Sequence, residues 1–292
     1  MNGVGFGILK LAGRLPFFIF HGLSNLLFPV LYYFLAYRKD VVLQNLGNSF
    51  PEKSPNEIKA IAKNFYKHLA DIFLEYIKLL GINGRELKSR LHFHNEDVLL
   101  DLQKKNRNII LVMGHYGNWE FLLGLPFFNE QFNTNIAFKS LYKVQKNKRV
   151  DSILYKSRSK HGMGLIPAQD VKQEFANPGP QNQAVIFLAD QSPSNSRRAH
   201  WTKFLNQDTG ILMGTERYAQ LFNHAVVYLK MTRLKRGEYE VSFELIAEHP
   251  KEWEKGKISE KHHQLLERDI KEAPQYWLWT HKRWKKQKPM DL

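Results

Sequence analysis

The chain has 292 residues, 43 Lys and Arg against 28 Asp and Glu, a formal net charge of +15 and no cysteine. Hydrophobic residues make up 43% of it, which excludes a disordered chain and leaves room for one large domain or two small ones. The lack of cysteine excludes disulfides, thiolate nucleophiles and Cys-ligated metal, and the cationic excess favours an anionic partner: nucleic acid, a membrane surface, an acidic protein or a phosphorylated ligand.

Leu15 to Tyr37 runs 23 residues without a Lys, Arg, Asp or Glu. As a helix rising about 1.5 Å per residue it covers roughly 30 Å, the thickness of bilayer hydrocarbon. Tyr32, Tyr33 and Tyr37 cluster at its far end, where amphipathic rings favour an interface. Pro16, His21, Asn25 and Pro29 interrupt the run. The expectation is a membrane anchor over residues 1–40, kinked across the bilayer or tipped into its surface, with a buried core helix as the alternative.

The remainder, 41–292, has the composition of a folded domain. Ser54-Pro55 with Glu57 predicts a capped helix running to Leu80 and stopped by Gly81. Ile58, Ile61, Phe65, Leu69, Ile72, Phe73 and Tyr76 give it an apolar face. Short β-like runs follow at Asn108–Met113, Asn135–Phe138, Ala184–Ala189, Ala225–Thr232 and Tyr239–Ile246. Helical patterns lie between them at Trp119–Phe128, Asn147–His161 and Thr215–Asn223, and Glu174–Gln183, with Pro178 and Pro180, reads as a loop. Alternating strands and helices predict an α/β layered fold.

Gly114-His115-Tyr116-Gly117-Asn118-Trp119-Glu120 follows the first of the fully apolar runs. On a continuous helix a five-residue spacing turns His115 and Glu120 about 140° apart, which excludes a metalloprotease-type pair. The spacing works if His115 ends a strand, Gly117-Asn118 turns the chain with Asn118 as cap, and Glu120 folds back onto the imidazole. A histidine so oriented is a general base for a hydroxyl nucleophile. An ordinary strand-end His with an exposed Glu is the structural alternative. His92 and His94 read as a solvated edge and His262-His263 as surface, and no G-x-S-x-G elbow is present.

Basic residues cluster three times. Lys139 to Lys160 holds eight Lys and Arg against Asp151. Lys230, Arg233, Lys235 and Arg236 form a second group, and Lys282 to Lys288 a third, interleaved with Trp277, Trp279 and Trp284. Indoles alternating with cations suit a membrane interface, or a solvated face. No zinc finger, RRM signature or helix-turn-helix pattern supports nucleic acid.

The chain resembles the bacterial lipid A biosynthesis acyltransferases, the late lauroyl/myristoyl enzymes. The resemblance runs from about Val41 to Lys286. It rests on Asn45-Leu46-Gly47-Asn48-Ser49-Phe50-Pro51-Glu52, the His115–Glu120 block and Leu141-Tyr142-Lys143 with Asn147. Further on it includes Arg158 with Gly162, Ala189-Asp190-Gln191 and Pro274 to Trp284. After Asp190-Gln191 the family commonly carries a Phe-Phe-Gly element, where this chain has Trp201-Thr202-Lys203-Phe204-Leu205-Asn206. The resemblance implies a glycerolipid-acyltransferase-like fold with a central mixed sheet flanked by helices. It implies His115 as base, oriented by Glu120, moving an acyl chain from an acyl-acyl-carrier-protein to a hydroxyl of a phosphorylated glycolipid, with no metal or cofactor. Donors near Gly117-Asn118 would meet the oxyanion, Arg158, with Arg149 and Lys139 behind it, the acceptor phosphate, and Gln191 the substrate, while Asp190 would touch the substrate or support a residue that does, with a helix or turn cap as the structural alternative. The implied place is the cytoplasmic face of the bacterial inner membrane. A lysophospholipid or other glycolipid acceptor, a hydrolase using water, and a non-catalytic basic membrane- or nucleic-acid-binding protein stand as alternatives.

Overall fold

A computed structural model describes residues 3–289 except 178, 180, 181 and 198. The helices are α1 (Gly3–Ala12), α2 (Phe17–Pro29), α3 (Lys39–Ser49), α4 (Pro55–Gly81), α5 (Gly84–Lys88), α6 (Asp97–Lys104), α7 (Phe127–Phe132), α8 (Lys148–Arg158), α9 (Val171–Ala176), α10 (Gly214–Phe222) and α11 (Lys257–Glu272). The strands are β1 (Leu91–His94), β2 (Ile109–Met113), β3 (Ala137–Tyr142), β4 (Gly164–Pro167), β5 (Gln183–Leu188), β6 (His200–Phe204), β7 (Gln207–Ile211), β8 (Ala225–Lys235) and β9 (Glu238–Ala247).

Seven strands form a mixed sheet in the order β1-β9-β8-β2-β5-β3-β4, antiparallel only between β8 and β9. β6 and β7 make a separate hairpin. The fold is the expected α/β arrangement of a mixed sheet flanked by helices. All of β2 is buried, as its unbroken apolar run requires of a strand covered on both faces. Its side chains alternate between two cores: Ile110 and Val112 pack on the face with α4 and α11, Ile109 and Leu111 on the face with α6 and Phe121.

α4 begins with the expected capping box, in which Glu57 N–H donates to the Ser54 hydroxyl and Ser54 N–H to the Glu57 carboxylate. Three segments differ from expectation. Trp119–Gly124 is a 3-10 helix, and Pro126 separates it from α7, because proline cannot continue a helical ladder. The strand expected at Asn135–Phe138 starts at Ala137 and continues to Tyr142. Helix continues to Ala176 in α9, shortening the expected loop, while Pro178 and Pro180 lie outside the described residues.

The N-terminal apolar run breaks at Pro16. From Phe17 it continues through α2 into a single π-type stretch, Val30–Phe34, just past Pro29, whose missing N–H disturbs the ladder. Phe17–Phe34 is long and apolar enough to cross a membrane by length and composition. One face, with Phe17, Phe20 and Ser24, is buried along α4, and Phe17 and Tyr32 belong to the two cores. The opposite face leaves Phe18 72%, Leu26 69% and Phe34 81% exposed.

Candidate active site

β2 and β5 are parallel neighbours, and their register sets Met113 opposite Leu188. Two residues beyond each strand stand His115 and Asp190, at the carboxyl edge where open α/β sheets build their sites. The Asp190 carboxylate lies 2.6 Å from His115 Nδ1. It also accepts the His115 backbone N–H at 2.8 Å and the Trp277 indole N–H at 2.9 Å. Burial pushes the Asp190 carboxyl up, yet the adjoining His115 and these three donors together hold it well below the usual carboxylate range. Burial likewise pushes the imidazole down, and the charge and hydrogen bond of Asp190, with the charge of Glu120, leave it above its ordinary value. An ionised carboxylate only accepts, so Nδ1 carries the proton and Nε2 is left to the cleft. Trp119 packs edge-on against the ring at 5.0 Å, and the Gln191 amide nitrogen lies 3.4 Å from Nε2.

The turn after His115 is tight. Gly117 has φ +66°, and a Cβ there would come within 2.9 Å of Met231, so glycine is required on both counts. Asn118 caps the following turn as expected, its Oδ1 accepting Glu120 N–H at 3.2 Å. Its amide donates to the buried Glu75 at 2.7 Å, and Tyr239 donates to the same carboxylate oxygen at 2.8 Å.

Two sequence expectations are corrected here. Glu120 does not hold the imidazole; it accepts a hydrogen bond from Arg158 at 3.0 Å, because the 3-10 turn directs it across the cleft. The Asn118 side chain is fully buried and donates to Glu75, and the Gly117 N–H donates to the Tyr276 carbonyl, so neither of these two donors is free for an oxyanion.

His115, Glu120 and Arg158 share a cleft of about 230 Å³ whose inner wall is apolar, with Leu122, Leu141, Met163, Leu165 and Ile186. Lys143 is exposed at its mouth. Gln191 is exposed beside the imidazole. Arg149 lies outside the cleft, exposed on the first turn of α8, and Lys139 is paired with Glu174.

The C-terminal aromatic segment differs most from its sequence reading. Trp277 and Trp279 are 2% and 0% exposed, and Arg283 is buried too. The segment straps the His115 turn: Leu278 N–H donates to the His115 carbonyl, and the Asn45 amide holds the carbonyls of Trp279 and His281 at 2.9 and 3.0 Å. Phe204, from the stretch that departs from the family pattern, packs against Trp277 at 5.8 Å. His262 and His263, expected at the surface, are buried in the inner face of α11, and burial pushes both down towards the neutral form. Sequence reasoning missed the bond from Trp277 to Asp190 and the buried Glu75; a carboxylate inside the apolar periodicity of α4 is the signal from which the second could be found.

Trp277→Phe keeps the ring's packing and deletes one donor to Asp190. A hydrogen bond to a charged group contributes about 1.5–3 kcal/mol. Turnover should fall about tenfold with little change in KM, and steady-state kinetics beside thermal unfolding will show whether activity drops further than stability.

A family model described as bacterial lipid A biosynthesis acyltransferase matches residues 2–286. The lipid A biosynthesis palmitoleoyltransferase of Escherichia coli (strain K12) is 21% identical over 287 residues, covering 96% of this chain and 90% of that protein. The lipid A biosynthesis acyltransferase of Shigella flexneri matches to the same extent.

Proposed function

The chain belongs to the bacterial lipid A biosynthesis acyltransferase family and transfers acyl groups; from that premise we propose that His115 is the general base that moves an acyl chain from acyl-acyl-carrier-protein to a hydroxyl of a phosphorylated lipid A precursor. The observation carrying this reading is the buried Asp190–His115 pair with Nε2 left to a cleft whose inner wall suits an acyl chain.

The steps balance with these groups alone. Nε2 takes the proton of the acceptor hydroxyl as its oxygen attacks the thioester carbonyl. Asp190 stabilises the imidazolium that forms. The tetrahedral intermediate expels the carrier thiolate, which takes the proton back from Nε2 as the ester is completed.

Arg158, fixed by Glu120 at the cleft wall, supports the acceptor phosphate by charge-assisted hydrogen bonds. Glu120 is thereby a positioning residue that also adds negative potential at the imidazole. Exposed Lys143 at the cleft mouth, with exposed Lys146, Lys148 and Arg149 following it along the chain, suits an acidic carrier protein. The bare face of α2 supports attachment within the membrane interface rather than a span, since its other face is occupied by α4. The carrier thioester then reaches a membrane-borne acceptor at the cytoplasmic face of the inner membrane.

The test is acyl transfer in membranes from acyl-acyl-carrier-protein, or from acyl-coenzyme A, to a phosphorylated disaccharide lipid or a lysophospholipid, with products identified by mass spectrometry. Ester formed on the disaccharide from the carrier-bound donor supports the proposal; product confined to the lysophospholipid or to free fatty acid overturns it. Arg158→Ala should raise KM for the phosphorylated acceptor about 10- to 100-fold, with kcat less affected. Glu120→Gln should follow Arg158→Ala in this assay. A loss confined to kcat in Glu120→Gln would instead give that carboxylate a direct part in the chemistry.

A further inference from the structure

A second cavity, of about 700 Å³, lies between α2, α4 and the β8–β9 hairpin and shares no residue with the His115 cleft. Asn64, Lys67, His68 and Asp71 line it from α4 at i, i+3, i+4 and i+7, the stripe of that helix beside its apolar face. The hairpin brings Arg233 and Arg236 to the same place. Asp71 is buried and accepts from Arg233 at 2.8 Å, from Arg236 at 2.5 Å and from the Ser24 hydroxyl at 2.5 Å. The two guanidiniums are held in place by a single carboxylate. Lys67 is exposed and has no acidic partner within 4.0 Å among the described residues. Lys235 is cancelled by Glu238 at 2.8 Å. Among the residues lining the cavity three cations therefore face one carboxylate, Asp71, and the buried Glu75 behind Arg233 still leaves positive charge in excess, which is the chemistry of a phosphate site.

The rim indicates the source of the phosphate. Leu234, at the hairpin tip, is 50% exposed, and Phe28 of α2 lines the cavity next to the helix's bare apolar face. A headgroup in the cavity would leave its acyl chains against that face. We propose that this cavity binds the phosphomonoester headgroup of a membrane lipid, at a site separate from the His115 cleft. His68 joins the two regions: its Nδ1 accepts from Arg233 at 3.2 Å, and its Nε2 faces the Gly117 carbonyl of the catalytic turn at 3.2 Å.

The full chain is tested by partition onto phosphatidylcholine vesicles doped with phosphatidic acid or, at matched surface charge, with phosphatidylglycerol. The wild type should prefer phosphatidic acid. Lys67→Glu should bind those vesicles about 5- to 30-fold more weakly and lose the preference, given the usual effect of one or two charges near a lipid surface. Asn64→Glu is a second variant on the same exposed stripe. Neither touches the Asp71 cluster, so thermal unfolding should be unchanged. Lys104→Glu on α6 is the control and should stay within about twofold of wild type. Equal losses in all three variants overturn the site and leave only diffuse attraction of a +15 chain to an anionic surface. Calorimetric binding of inorganic phosphate that Lys67→Glu abolishes, with vesicle partition unchanged, overturns the lipid source in favour of a soluble phosphate. The readout is partition, so its failure leaves the acyl-transfer reading untouched.

Discussion

His115→Ala should lose acyl transfer by about 10⁴-fold, the upper end of what a general base supplies. The variant should still fold and still partition into membranes. The imidazole is near the rim of the sheet and is not part of either apolar core, and Asp190 keeps the His115 backbone N–H and the Trp277 indole as donors. What disappears is the one imidazole among the described residues lining the cleft, and with it the group proposed to accept the hydroxyl proton and return it to the thiolate. Added imidazole should restore part of the rate. Retention of substantial turnover in a folded His115→Ala protein sinks the mechanism.

Asp190→Asn is the second large effect, expected at about 10³- to 10⁴-fold in kcat, by analogy with loss of the carboxylate from a Ser-His-Asp triad. The amide has no charge to stabilise the imidazolium. Its NH₂ can also donate to Nδ1, which moves the ring proton to Nε2 and blocks the base. The pH profile separates this from loss of fold. Proton abstraction needs a neutral ring, so activity falls as pH drops through the His115 pKa. In the wild type that acid limb should lie above the ordinary histidine range, because Asp190 and Glu120 together outweigh burial. Without the Asp190 charge, burial dominates and the limb should move to lower pH. Glu120→Gln should shift it much less, since Glu120 acts on the ring only through space. An acid limb that does not move in Asp190→Asn would remove the carboxylate from its role at the imidazole.

Much of the fold was legible locally. The capping box of α4 and the unbroken apolar runs of β2 and β5 depend on residues within a few positions of one another, and local chemistry decides them. The same holds for His115 at a strand end before a tight glycine turn. Two glycines and an asparagine within five residues leave few other conformations for that segment. Of the boundaries that moved, the one at Pro126 follows from proline's missing N–H, a local signal, whereas the extra turn of α9 before Pro178 is set by Val171 and Phe175 packing into the core.

By itself, then, the sequence determined the α/β class, the His115 turn and the excess of positive charge, all properties of composition and short-range pattern. The tertiary structure alone decided what those features face. Asp190 lies 75 residues from His115 and meets it only because β2 and β5 are parallel neighbours in one register, a pairing no local spacing encodes. Trp277 and Trp279 sit in the core because the C-terminal segment folds back over the His115 turn. An indole leaves water equally well at a lipid interface or inside a protein, so its composition cannot distinguish the two. The buried His262 and His263 show the same limit: a helix face is apolar or polar by what packs on it, and that is set by α11 closing against the sheet.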